Sequence, residues 1–218
     1  TFASKMVVRF AVIVIGVSFF QSCAPVFSEM QSARTVGKNR MEVTPTASSV
    51  SYTEEGETNG LQNQYGAQVA FGVTSSLDIR LRYEYVRLKE DYGTSDTKGV
   101  HVMGIGPKYS LLKNKIAIAL PIGRAFGEDT KDTWQLHPTI LFTIPAVRDK
   151  FDLNFSPKYL FTVCEDCEDF FALNFGASFS SDLNKWAIRP EYGLLYNPGE
   201  SGHFGQLSIG FSYAFNLK

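Results

Sequence analysis

The sequence contains no run of 18 or more apolar residues in its 218, so no segment is built to cross a bilayer as a helix. Bulk charge is also missing: 21 Lys plus Arg stand against 22 Asp plus Glu, a net charge of −1. That balance excludes nucleic acid or any other partner drawn in by overall charge. There is no Gly-rich phosphate loop, no patch of interleaved basic and aromatic residues and no usable pair of carboxylates. Gly104 and Gly106 sit inside a strand pattern and do not form a nucleotide fingerprint. What is present is 14% aromatic residues and 18 glycines with only 20% charged residues, too apolar a mixture for disorder and of a length that suits one domain.

The first residues read as an address. Lys5 and Arg9 precede an apolar stretch over 10–20, and small residues follow at Ser22 and Cys23, the pattern of a secretory signal peptide over 1–22. Cys23 stands where a lipidated cysteine would stand, with Ser22 before it. Cysteine arithmetic agrees: Cys164 and Cys167 can pair with each other, which leaves Cys23 over. An ordinary secreted protein with a free thiol at Cys23 is the competing reading. Residues 23–40, of mixed polarity with Pro25 and Gly37, read as a lipidated periplasmic tether in which Val26, Phe27 and Met30 could dock onto a partner.

From Met41 onward the hydrophobic period is two, and nothing reads as a long helix. Strands are expected near 41–52, 61–73, 77–88, 99–110, 115–126, 134–144, 150–163, 169–180, 185–196 and 203–217. Short turns fall at Ser75-Ser76, Lys113-Asn114, Arg148-Asp149 and Asp182-Leu183-Asn184, while longer polar loops such as 54–60 and 89–98 fall between them. Short and long connections alternate, as in outer-membrane barrels with short periplasmic turns and long external loops. The expected fold is therefore all-β: a ten-stranded antiparallel up-and-down transmembrane β-barrel over 41–218.

The two faces of the strands support this. Trp186, Ile188, Pro190, Tyr192, Leu194 and Tyr196 share one face; from Trp186 to Tyr196 is about 33 Å of strand, which projects to about 25 Å at a tilt of about 40°. That is the height of a lipid-facing band. The last strand sets Leu207, Ile209, Phe211, Tyr213, Phe215 and Leu217 against Ser208, Gly210, Ser212, Ala214 and Asn216, large apolar outside and small inside. Leu77, Ile79, Leu81, Tyr83 and Tyr85, and Phe151, Leu153, Phe155, Tyr159 and Phe161, face lipid by the same parity. The opposite parity lines the lumen with Arg80, Arg82, Glu84, Lys108, His137, Asp152, Lys158, Arg189 and Glu191, together with Gln62, Gln64, Gln68, Asn154 and Asn174. A soluble lipocalin-like barrel would need the aromatic faces turned inward.

The strand series, the final run over 209–217 and the opening over 23–34 resemble the small outer-membrane β-barrel lipoproteins of Bacteroidota. The resemblance implies location and architecture only. Pro45, Pro107, Pro121, Pro138, Pro157 and Pro190 lie within the proposed strands, where each removes a ladder donor. Three recur as Pro107-Lys108-Tyr109, Pro157-Lys158-Tyr159 and Pro190-Glu191-Tyr192 and are expected as bulge-like kinks.

Cys164 and Cys167 bracket acidic residues in the loop after the seventh strand. A disulfide stapling the loop tip fits an oxidising compartment better than zinc, which needs four ligands, and weak calcium binding by Glu165, Asp166, Glu168 and Asp169 is the alternative. His101, His137 and His203 fall near the external mouth with no nucleophile or orienting carboxylate at defined spacing. No catalytic residue, metal or cofactor is expected beyond a lipid on Cys23. The expected role is a non-enzymatic, largely plugged barrel whose partners are outer-membrane lipids and an envelope protein, with no nucleic acid. A narrow channel using the charged lumen is the first alternative and a rim-sited enzyme the second.

Overall fold

The computed structural model describes residues 26–89, 99–127, 134–163, 167–199 and 201–217. Its strands are β1 (Arg40–Glu54), β2 (Glu57–Gly72), β3 (Leu77–Leu88), β4 (Val100–Leu112), β5 (Ile116–Ala119), β6 (Ile122–Phe126), β7 (Trp134–Leu136), β8 (Thr139–Val147), β9 (Phe151–Val163), β10 (Phe170–Phe179), β11 (Trp186–Tyr196) and β12 (His203–Asn216). β5 with β6, and β7 with β8, are the two halves of single staves. The result is a closed ten-stranded antiparallel barrel. β12 pairs with β1, Phe215 opposite Met41 and Ser208 opposite Ser48, so the last strand seals against the first.

Proline explains the divided staves. Pro121 and Pro138 supply no N–H, and regular ladder stops beside each. The wall still carries across on single bonds: Leu120 donates its N–H to the Pro107 carbonyl (3.1 Å), His137 to Pro121 (2.9 Å) and Tyr159 to Pro138 (3.1 Å). The expected kinks at the Pro-x-Tyr repeats are absent. Pro107 faces Ile79, Pro157 faces Leu173 and Pro190 faces Ile209 with no shift of register. A proline forfeits one donor toward one neighbour and keeps its carbonyl, so no inserted residue is needed. The bulges lie at Val50/Ser51, Ser110/Leu112 and Pro145/Val147.

A second correction concerns the loop expected at 54–60. β1 and β2 extend as a hairpin closed by Glu55 (φ 50°) and Gly56 (φ 85°). Two successive positive φ angles make the twisted two-residue turn that matches paired strands. The polar residues there thus form a protruding ribbon. The other connections at that end, 89–99, 127–133, 164–169 and 197–202, contrast with turns as short as 113–115 and 148–150 at the opposite end, where Arg40 and Asn216 also lie.

The wall is inverted relative to a soluble barrel. Leu207, Ile209, Phe211, Tyr213, Phe215 and Leu217 are exposed on the outside, Ile209 by 55%. Ser208, Gly210 and Ser212 alternate with them and are buried inside.

The chain before β1 departs furthest from expectation. Where the sequence suggests a periplasmic tether, residues 26–33 are buried and Val36 is buried at the short-turn end. This stretch has no helix or strand and runs through the lumen. It then reverses into β1 through Gly37 (φ 90°) and Asn39 (φ 58°), with Asn39 donating to the Gly72 carbonyl at 3.0 Å. A Cβ on Gly72 would lie 1.8 Å from the Gly37 oxygen, so only glycine admits the turn this close to the wall.

Candidate functional site

A buried stretch without regular structure must find partners for its N–H and C=O groups elsewhere. Here the wall's side chains supply them, and the Pro-x-Tyr repeats deliver three. In each repeat the proline and tyrosine face outward and the middle charge faces inward. Lys158 of β9 donates to the Phe27 carbonyl (3.2 Å) and pairs with the Glu29 carboxylate. Glu191 of β11 accepts the N–H groups of Glu29 and Met30 on its two oxygens, each at 2.6 Å. Lys108 of β4 donates to the carbonyls of Ser32 (3.3 Å) and Arg34. Met30 holds a φ of 48°, a left-handed conformation uncommon for a residue with a side chain, at the point the Glu191 carboxylate grips.

Other strands complete the clamp. Arg82 of β3 donates to the Ser28 carbonyl and hydroxyl, Gln68 of β2 to the Glu29 carbonyl (3.0 Å), and Asn174 of β10 to the Phe27 carbonyl (2.9 Å). Ala33 donates its N–H to the Thr143 hydroxyl of β8 (2.8 Å), and Val36 to the Asp78 carboxylate of β3 (3.1 and 3.2 Å). At the short-turn rim Arg34 spans Asp149 (2.9 Å) and Asp152 (3.1 Å). Around this, the wall balances its own charge. Glu42 pairs with Arg189 (2.9 Å) and Arg80 (3.3 Å), Glu84 with Arg82 (3.1 Å), and Asp78 with Lys108 (3.4 Å). Charges in so enclosed a place persist only when paired and hydrogen-bonded.

The segment's apolar side chains have fitted seats. Phe27 is fully buried in a cluster with Val50, Leu160, Ala172, Leu195 and Phe204 in the half of the barrel nearer the long loops. Gly193 leaves the room: a Cβ there would lie 2.9 Å from the Phe27 ring. Gly210 does the same for Met30, whose Cβ and Sδ lie 3.5 Å from its ideal Cβ. Ala33 packs against Ala117, Ala119 and Leu141. Beside the segment remains a cavity of about 70 Å³, lined in part by Val26, Glu29, Gln68, Arg82, His137 and Lys158. It is room for a few waters.

No protein-family model matches the sequence, and no curated protein matches it. Among solved structures, the translocator domain of the autotransporter NalP from Neisseria meningitidis is similar with a TM-score of 0.51 at 8% identity, over 98% of this chain and 97% of that one. The protein is an outer-membrane β-barrel. Two other barrels superpose more loosely: the attachment invasion locus protein Ail of Yersinia pestis (TM-score 0.38, 10% identity, 82% of this chain and 99% of that chain) and the N-terminal domain of Pseudomonas aeruginosa OprF (TM-score 0.33, 10% identity, 81% and 99%).

In this outer-membrane barrel the residues expected in the lumen converge there. Arg80, Arg82, Glu84, Lys108, Asp152, Lys158, Arg189 and Glu191 all face inward, each in contact with the segment or with a wall charge. His137 also faces inward, beside the cavity, with Nε2 and the Gln135 amide oxygen 3.1 Å apart. His101 lies on the outer surface against the Tyr83 hydroxyl (2.8 Å), and His203 stacks on Tyr196. The histidines do not converge, and among the described residues no His, Cys, Asp and Glu side chains gather as a metal site. Cys23 and Cys164 lie outside the described residues; Cys167 is disulfide-bonded.

Glu29, Arg34, Glu42 and Asp78 belong to the site and were not singled out by the sequence. Asp78 had a signal, since it alternates with Leu77 and Ile79. Glu42 likewise sits between Met41 and Val43.

Proposed function

We propose that this barrel is a closed, non-enzymatic envelope lipoprotein of the Bacteroidota type, acting as a structural or partner-binding component of the outer membrane. In this reading 1–22 is a removed signal peptide, Cys23 carries lipid, and the protein works without metal or cofactor, engaging outer-membrane lipids and an envelope protein. The observation that carries the closed state is the seating of residues 26–36, whose backbone is bonded by side chains from strands around the ring. A pore that conducts needs a continuous wet path, and two cavities beside the segment measure only about 70 and 30 Å³.

The test is conductance of the refolded protein in a planar bilayer, with insertion checked by heat-modifiable gel mobility. The native chain is expected to stay silent, and a variant lacking residues 24–35 to show steady openings. Ion-selective openings of the native chain, altered by Arg80→Ala or Arg189→Ala, would replace this reading with a transport channel.

A further inference from the structure

Cations gather at the short-turn end of the barrel. Lys113 and Lys115 lie in the turn between β4 and β5, Arg148 and Lys150 in the turn between β8 and β9, Lys185 precedes β11, and Arg40 opens β1. The turns are tied to their neighbours, so these side chains stand along one connected arc of the rim. Thr143 donates its N–H to the Lys115 carbonyl (2.8 Å), Ser180 to Lys150 (2.9 Å) and Leu183 to Asp149 (2.8 Å), and the Arg40 guanidinium donates to the Asn184 carbonyl. The arc breaks at Thr74-Ser75-Ser76, which carries no charge. Its exposed carboxylates are already engaged, Asp149 by Arg34 (2.9 Å) and Asp182 by the Asn184 N–H (3.0 Å). Arg148 and Lys185 approach them only to 3.6 and 3.7 Å, with 96% and 72% of their own side chains exposed, and pairs of that kind contribute little. The cations therefore extend away from the wall.

Their place along the strands says what they meet. Lys113 follows the exposed Leu111 and Leu112, Arg148 follows the exposed Val147, and Lys185 precedes Trp186, which stacks on the exposed Phe211 (6.2 Å). A long basic side chain at the edge of an apolar band lays its stem along that band and carries its charge to headgroup level. We propose that this arc binds anionic phospholipid, its ammonium and guanidinium groups holding headgroup phosphates of the leaflet on the short-turn side. Outer-membrane barrels turn their short connections to the periplasm, so this is the inner leaflet. The inference deepens the proposed engagement of outer-membrane lipids and rests on that reading. Height favours lipid over the cell wall, because charge set directly at the edge of the apolar band meets headgroups before any polymer beyond them. Each Lys or Arg close to an anionic surface raises affinity for it about fivefold, and salt weakens the effect.

The experiment uses the full chain refolded into phosphatidylcholine vesicles. The sequence has 2 tryptophans, so Trp134→Phe leaves Trp186 as the reporter of the short-turn rim. Dibrominated phosphatidylglycerol is expected to quench Trp186 as though it took the adjoining site about fivefold more readily than dibrominated phosphatidylcholine at the same mole fraction, with the preference fading as salt rises. Arg148→Ser, Lys150→Ser and Lys185→Ser together should erase it in barrels that keep their heat-modifiable mobility; if that chain does not fold, Lys185→Ser alone, beside the reporter, should reduce it. Equal quenching by the two lipids at low salt overturns the proposal and leaves a barrel in contact with lipid, whereas no quenching by either overturns the lipid reading itself. A preference unchanged by the substitutions also overturns it, since charge elsewhere would then select the lipid. Equal quenching joined to co-sedimentation with purified sacculi would assign the arc to the cell wall instead.

Discussion

Replacing Glu191 by alanine is the sharpest single perturbation of the occupied lumen. Its carboxylate is buried and accepts two backbone N–H groups at 2.6 Å, those of Glu29 and Met30. A hydrogen bond to a charged group contributes about 1.5–3 kcal/mol, so losing both costs about 3–6 kcal/mol in the seating of the segment. At about 1.4 kcal/mol per factor of ten, the seated fraction relative to the released one falls by about 10²–10⁴. The ladder bonds of β11 to β10 and β12 are backbone and stay intact. The variant should therefore keep its heat-modifiable mobility while its N-terminal segment becomes cleavable by protease in detergent micelles. Glu191→Gln, with one acceptor left, should fall between. A Glu191→Ala barrel with a segment as protected as in the native protein would refute the claim that side chains from the wall hold it.

Gly193→Val fills the space that the Phe27 ring occupies, because even a Cβ would sit 2.9 Å from it; overpacking of this kind costs about 1–3 kcal/mol, read as lower resistance to urea in vesicles. Ile209→Lys places a charge on the lipid face midway along β12, opposite Ala47 and Pro190, and should cost about 2–4 kcal/mol in refolding titrations, whereas Ser208→Lys on the inner face would instead disturb the packed lumen. The Asp182 carboxylate accepts the Asn184 N–H at 3.0 Å in a short turn, and this bond holds its pKa below the ordinary 3.8. Its stabilisation is present above that ordinary value and is lost as pH falls through the lowered one, so Asp182→Asn should flatten the acid end of the unfolding profile by lowering neutral stability slightly, toward its acid value.

The barrel was legible because its strands announce themselves by parity. The boundaries of β3, β11 and β12 fall within a residue of the expected 77–88, 185–196 and 203–217. The proline positions were legible as irregular and misread as bulges, since a single missing donor is a smaller disturbance than the sequence suggests. The threaded segment was not legible at all. A stretch whose backbone is satisfied by side chains scattered over 40–191 has no period to detect. Two hints existed: Val26, Phe27 and Met30 stood out as apolar in a polar stretch, and the Pro-x-Tyr repeats carried Lys108, Lys158 and Glu191 inward into a narrow lumen. Charge facing a narrow lumen demands something to bind, and here it binds the chain's own first described residues.

The most direct test of the central claim is a cross-link between segment and wall. Ala33 shares one buried cluster with Ala117 of β5, so in a chain freed of its native cysteines Ala33→Cys and Ala117→Cys should join under mild oxidation in the folded barrel. Mass spectrometry of the digested protein should find the 33–117 peptide pair in the heat-modifiable form and not in protein oxidised while unfolded. A correctly folded barrel in which this pair stays reduced would contradict the account, because the segment would then lie outside the lumen.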